Sequence, residues 1–195
     1  DGIRREVKQA SEAINLTPQE AFLELGFITE EFMEIYAYAH VKQLISTGTL
    51  RPGDDFIIGW DPRNPKGDFT SAVVSGVCKA EVNALILGVV PTPLVPMYML
   101  YKNSSGGFMV TASHNSKDQN GIKVFDSFKG FKYLPENDLT LTRAVLKTQS
   151  SKIRELTLKG KRVNSRKEAL KLFDQFSTAP KNTWVPLESH LFKNI

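Results

Sequence analysis

The chain has 195 residues, 41% of them apolar and 24% charged, with a formal net charge of +4. That length fills one core, and the composition is that of an ordinary soluble globular domain rather than a disordered or disulfide-stapled chain. No apolar run reaches membrane-spanning length and no charged-then-apolar leader opens the chain, so no membrane association is expected.

Thr29-Glu30-Glu31 predicts the start of a helix running to about Ser46, with Phe32, Ile35, Tyr36 and Ala39 as its buried stripe and Gly48 past its end. Arg51 to Asp54 reads as a turn and Phe56 to Gly59 as a buried strand. A helix follows over about Phe69 to Val82, with Phe69, Val73, Val74 and Val77 on one face. Ala84 to Val89 is a second strand, Pro93 to Tyr101 a helix that opens at a proline, and Phe108 to Ala112 a third strand. An Asn120-Gly121 turn signal leads into a fourth, Ile122 to Phe125, which carries Lys123 within it. Strands alternating with helices predict a three-layer α/β/α sandwich built on a mostly parallel, four-stranded mixed sheet. The ligand crevice of such a sheet lies at the carboxyl ends of its strands, where Asp61, Val90-Pro91 and Ser113 fall.

The charge balance changes near Leu139. Residues 1–138 hold 13 Lys/Arg against 17 Asp/Glu, and residues 139–195 hold 12 against 4. This basic tail contains a helical pattern from Arg166 to Phe176, with Ala169, Leu170, Leu172, Phe173 and Phe176 available for burial. A basic tail is a candidate nucleic-acid surface. That reading leaves the Ser113 loop unexplained, and a solvated helix face is the expectation instead, with no nucleic acid as partner. The single cysteine, Cys78, excludes an internal disulfide and points to a reducing, cytoplasmic compartment. In its apolar helical setting it reads as an inert buried thiol. His40, His114 and His190 lack ligand spacing, which argues against zinc.

The stretch from Gly106 to Phe125 carries the chemistry. An apolar run, Phe108-Met109-Val110, stops abruptly at Thr111-Ala112-Ser113-His114-Asn115, a hydroxyl displayed at the end of a buried strand with a histidine and a lysine nearby. This stretch, followed by Asn120-Gly121-Ile122-Lys123, resembles the active-site serine loop of the alpha-D-phosphohexomutases. Ser116 stands where that family usually has proline, and Gln119 where an aromatic is common. Asp1-Gly2-Ile3-Arg4 is similar to the family's amino-terminal signature, with Arg5 in place of a glycine. Ile57-Ile58-Gly59-Trp60-Asp61-Pro62-Arg63 is similar to its Gly-Arg-Asp-x-Arg strand end, with Trp60 in place of the first arginine. Gly88-Val89-Val90-Pro91-Thr92-Pro93 matches its Gly-x-x-Pro-Thr-Pro loop.

The resemblance implies the first domain of a protein that normally has four. Residues 1–185 would be that domain, with the motif-bearing core at 1–138 and the basic helical tail at 139–180. Residues 186–195 would begin a linker to a missing second domain. It further implies that Ser113 carries a phosphoryl group exchanged between C1 and C6 of a hexose phosphate through a bisphosphate intermediate. Lys123, Arg4 and His114 would assist at the reacting groups, and Thr111, Asn115, Asn120 and Gly121 would shape the phosphate and substrate loop. Mg2+ would touch this chain only through the phosphate of Ser113, because no Asp-x-Asp-x-Asp motif occurs here. Glucose 1,6-bisphosphate or a similar compound would be the activator, and the downstream domains would complete the enzyme. Taken without the family, Asp61 and Arg63 read as a structural ion pair at a strand end. The alternative function is a phosphosugar-binding or interaction module of the same fold that does not catalyse.

Overall fold

Each apolar strand of this chain has two faces to bury, so helices must cover the sheet on both sides. A computed structural model, which describes residues 2–63, 67–126 and 135–178, has this arrangement. The strands are β1 (Ile3–Val7), β2 (Phe27–Ile28), β3 (Asp55–Trp60), β4 (Asn83–Val89), β5 (Gly106–Val110), β6 (Gln119–Asp126) and β7 (Arg162–Asn164). The helices are α1 (Pro18–Glu20, continued by a wider turn over Ala21–Leu25), α2 (Glu30–Ser46), α3 (Asp68–Lys79), α4 (Leu94–Lys102), α5 (Pro135–Lys147), α6 (Ser150–Glu155) and α7 (Arg166–Thr178).

The sheet has seven strands in the order β2-β1-β6-β5-β3-β4-β7, not the four expected. The three unforeseen strands are short or polar and draw their stability from pairing. β7 adds parallel to β4 through Ala84↔Arg162 and Ile86↔Asn164, so the basic tail continues the sheet. β1 pairs antiparallel with β6 and parallel with β2. β6 runs antiparallel to β5 as well, while β3 pairs in parallel with β5 on one side and β4 on the other.

Alternation along the strands divides the interior in two. Phe56, Ile58, Phe108, Val110, Ile122 and Val124 face α2, α3, α5 and α6. Ile57, Leu85, Leu87, Met109 and Phe125 face α4 and α7, where Ala169 and Leu172 are buried and Leu170, Phe173 and Phe176 pack at the margin. The anticipated stripes Phe32, Ile35, Tyr36, Ala39 and Phe69, Val73, Val74, Val77 are all buried, as is Cys78. Burial of that thiol raises its pKa.

Two sequence expectations need correction. α3 ends at Lys79 rather than Val82, and Val82 is buried just ahead of β4. Asn120-Gly121 is not a turn but the start of β6, opposite Arg5 and Arg4. The glycine is needed for close approach: a Cβ on Gly121 would stand 1.8 Å from the Ile3 carbonyl oxygen. His190 and the 186–195 linker lie outside the described residues. Among those described, no helix is long and apolar enough to cross a membrane.

Candidate active site

Three parallel strands end side by side, and their loops meet over one cleft. Asp61 follows β3, Val90 to Thr92 follow β4, and Thr111 to His114 follow β5. The strand ends are stitched together: Val90 N–H donates to the Trp60 carbonyl at 3.0 Å and Asp61 N–H to the Val110 carbonyl at 3.2 Å. The cleft of about 490 Å³ is lined by Asp61, Pro62, Val89 to Thr92, Met109, Thr111, Ser113 and His114.

Ser113 sits at its rim with φ +60°. That left-handed backbone costs an L-residue roughly 1–2 kcal/mol, so the surroundings must hold it. The Ser113 N–H donates to Thr111 Oγ1 at 2.8 Å, and Thr111 Oγ1 donates to Asp61 Oδ2. Arg63 secures the rest of the loop. Its Nε donates to Asp61 Oδ2 at 2.9 Å; Nη2 donates to the Ser113 carbonyl at 2.6 Å. Nη1 reaches the carbonyls of Asn115, Ser116 and Gln119 at 3.3, 3.2 and 3.1 Å. The Asp61 and Arg63 side chains are only 19% and 12% exposed, so this charge-assisted network is shielded from water. The ion pair read from sequence is therefore present, and it also carries the serine loop.

Of the residues singled out from sequence, Ser113 and Lys123 are brought together, with Lys123 Nζ donating to Ser113 Oγ at 3.4 Å. Register accounts for this meeting: Lys123 pairs with Met109, and the Thr111 N–H donates to the Gly121 carbonyl. Arg4 pairs with Gly121 and so shares the sheet face of Lys123, two residues away along β6. His114 is exposed and lines the same cleft. Asn115 and Asn120 brace the loop. Asn115 Nδ2 donates to Gln119 Oε1 at 2.6 Å, and buried Asn120 accepts the Gly121 N–H at 2.8 Å. On the loop's outer side, a hydrogen bond from the Ser116 hydroxyl holds the Asp118 carboxyl below the usual range, helped by the backbone N–H of Asp118. Sequence reasoning missed the reach of Arg63, because its contacts are to backbone carbonyls and leave no mark in residue types. Among the described residues, no group of three or more His, Cys, Asp or Glu is placed to hold a metal.

Comparison with known proteins bears on the family and the fold. The sequence model of the family described as "Phosphoglucomutase/phosphomannomutase, alpha/beta/alpha domain I" matches residues 20–152. A Pyrococcus abyssi protein assigned as a phosphoglucosamine mutase is 36% identical over 105 residues, covering 54% of this chain and 23% of that protein. The phosphoglucosamine mutase of Francisella tularensis subsp. novicida is 46% identical over 76 residues, 39% of this chain and 17% of the relative. The chain thus matches about a fifth of the length of these curated relatives. A crystal structure from Thermus thermophilus, assigned as a phosphomannomutase, superposes with a TM-score of 0.62 at 22% identity, covering 86% of this chain and 33% of that one. At that identity it bears on the fold alone. Through the match over residues 20–152, the chain belongs to the phosphoglucomutase/phosphomannomutase family and carries its α/β/α domain I.

Proposed function

We propose that Ser113 is the phosphoryl carrier of a phosphosugar mutase and that this chain is its amino-terminal domain. The observation that supports this most strongly is the Ser113 hydroxyl, held in left-handed backbone at the rim of a cleft with the Lys123 ammonium 3.4 Å from its oxygen. Costly left-handed backbone at a non-glycine residue is concentrated at functional sites, and here it comes with an adjacent cation. A phosphoserine here adds roughly −1.5 to −2 charge, and Lys123 offsets part of it. When the phosphoryl group leaves for a sugar hydroxyl, negative charge develops on the seryl oxygen, and the same ammonium stabilises it there. The sugar oxygen bonds to phosphorus as the bond from phosphorus to the seryl oxygen breaks, and the proton lost by the sugar hydroxyl ends on that seryl oxygen, regenerating the Ser113 hydroxyl. The resulting bisphosphate reorients and returns its other phosphate to Ser113, which moves phosphate between C1 and C6.

Arg63, Asp61 and Thr111 act by holding the loop through both half-reactions. Mg2+ is the expected cofactor, with a phosphoserine oxygen as the ligand from this chain. The residues described here do not make a magnesium cage: Asp61, the carboxylate beside the loop, is engaged by Arg63 and Thr111. Turnover is assigned to the full-length cytoplasmic protein, with the downstream domains and a hexose phosphate as partners. The names of the curated relatives make the glucosamine phosphates the first substrates to assay. Incubating the full-length protein with glucose 1,6-bisphosphate should add one phosphate to the Ser113 peptide by mass spectrometry. Ser113→Ala should abolish both the label and turnover, lowering the latter by roughly 10³-fold or more. Labelling of another peptide, or undiminished turnover in Ser113→Ala, would overturn the assignment.

A further inference from the structure

The wall of the cleft facing Ser113 is the turn that leaves β4, where Val89, Val90, Pro91 and Thr92 line the opening. Just ahead of it, within β4, Gly88 has a φ of +76°. A Cβ at Gly88 would stand 2.8 Å from Nη1 of Arg166, so the absent side chain leaves the space in which that guanidinium lies. Arg166 Nη1 donates to the Val89 carbonyl at 2.6 Å and to the Leu87 carbonyl at 3.3 Å. The β3–β4 register slips at this level, from Ile58↔Ile86 to Gly59↔Gly88, so Leu87 is passed over in the ladder and Arg166 supplies its carbonyl with a donor.

The arginine is itself held firmly. Its N–H donates to Asn164 Oδ1 at 3.1 Å, and the Ser165 N–H donates to the Ile86 carbonyl at 2.9 Å. Two residues on, Glu168 accepts the Tyr98 hydroxyl of α4. Arg166 lies outside the residues that match the family, 20–152, and in the basic tail whose purpose the charge balance alone leaves open.

We infer that Arg166 is a positioning residue: from the tail it pins the end of β4, from which the Val90–Pro93 turn departs, and so fixes the cleft wall opposite Ser113. The consequence for turnover rests on the function proposed above; the pinning itself does not. Two measurements on the full-length protein separate them. In Arg166→Ala, amide exchange of the peptide spanning residues 87–92 should quicken about tenfold while that of 113–119 stays as it was. Arg166→Lys, which keeps one donor, should restore part of the protection. In the same Arg166→Ala protein kcat/KM for the hexose phosphate should fall about tenfold, mainly through KM, with the melting temperature unchanged.

Unchanged exchange at 87–92 in Arg166→Ala would refute the pin. Faster exchange with kcat/KM unaltered would reduce Arg166 to a structural contact and equally overturn the inference. Failure of wild-type protein to label Ser113 would sink the function reading instead, and the exchange result would still decide the pin.

Discussion

Two loops leave the same edge of the sheet and hold their shape by different means. The one after β5 presents a serine in left-handed backbone, and it is secured by a shielded arginine paired with Asp61 and spread over four carbonyls. The one after β4 contains Pro91 and Pro93 and departs from a strand end shaped by Gly88, which an exposed arginine from the tail pins. Where the backbone must be unusual and still carry a side chain, glycine is excluded and ionic bracing replaces it. Where only a wall is needed, residue types with suitable intrinsic geometry supply most of the shape.

The strongest way to break this contrast is Arg63→Lys. A single ammonium lacks the planar fork that serves Asp61 and the loop carbonyls together, and turnover of the full-length protein should fall about 100-fold. If lysine restored wild-type kcat, the serine loop would need only a charge, and the distinction would collapse.

Acid tests the footing the loops share. His40 lies beneath the sheet, 6.1 Å from the Phe56 ring of β3 and 5.1 Å from the Phe108 ring of β5. Burial pushes its pKa down from 6.5 to about 3. The unfolded chain thus takes up a proton near pH 6.5 that the folded chain refuses until about pH 3. The stability contributed by neutral His40 is complete above pH 6.5 and declines as pH falls through that window, by about 2 kcal/mol at pH 5. Urea titrations at pH 7 and pH 5 should show this loss, and His40→Phe should flatten it; an unchanged slope in that variant would place the sensitivity elsewhere.

Thr111→Val removes the hydroxyl that joins Ser113 to Asp61 and should cost about 1.5 kcal/mol, measured by denaturant midpoint. A neutral result would mean that Arg63 alone carries the loop. The smallest effect separates two inactive proteins. At φ +60° glycine is less strained than alanine, and part of that gain is lost to the freer unfolded chain. Ser113→Gly should be more stable than Ser113→Ala by about 0.5 kcal/mol, and the reverse order would show that the loop relaxes when the hydroxyl is gone.

Much of this was legible before any coordinates. The strands β3, β4 and β5 and the helices α2, α3, α4 and α7 have apolar periodicity strong enough to be read, and the motif joined Ser113 to Lys123 ten residues apart. β1, with Arg4-Arg5-Glu6 at its centre, and β7, exposed along all three residues, bear no such pattern. Their energy comes from neighbours distant in sequence, which no local window samples. The change of charge at Leu139 looked like an edge of the motif-bearing region, whereas β7 carries the sheet one strand beyond β4. The carbonyl contacts of the two bracing arginines leave no mark for a related reason: a guanidinium that binds carbonyls pairs with groups every residue has.

The close crossing at Gly121 has a counterpart. A Cβ on Gly2 would likewise meet a carbonyl oxygen, that of Ile122, at 1.8 Å. The two segments therefore interlock like a key and its slot: sliding the first by one position brings a residue with a Cβ to the place of Gly2, against the Ile122 carbonyl, and turns Arg4 away from Lys123. Misalignment of the first strand is thereby self-rejecting, and the placement of Arg4 is secured by two side chains that are absent.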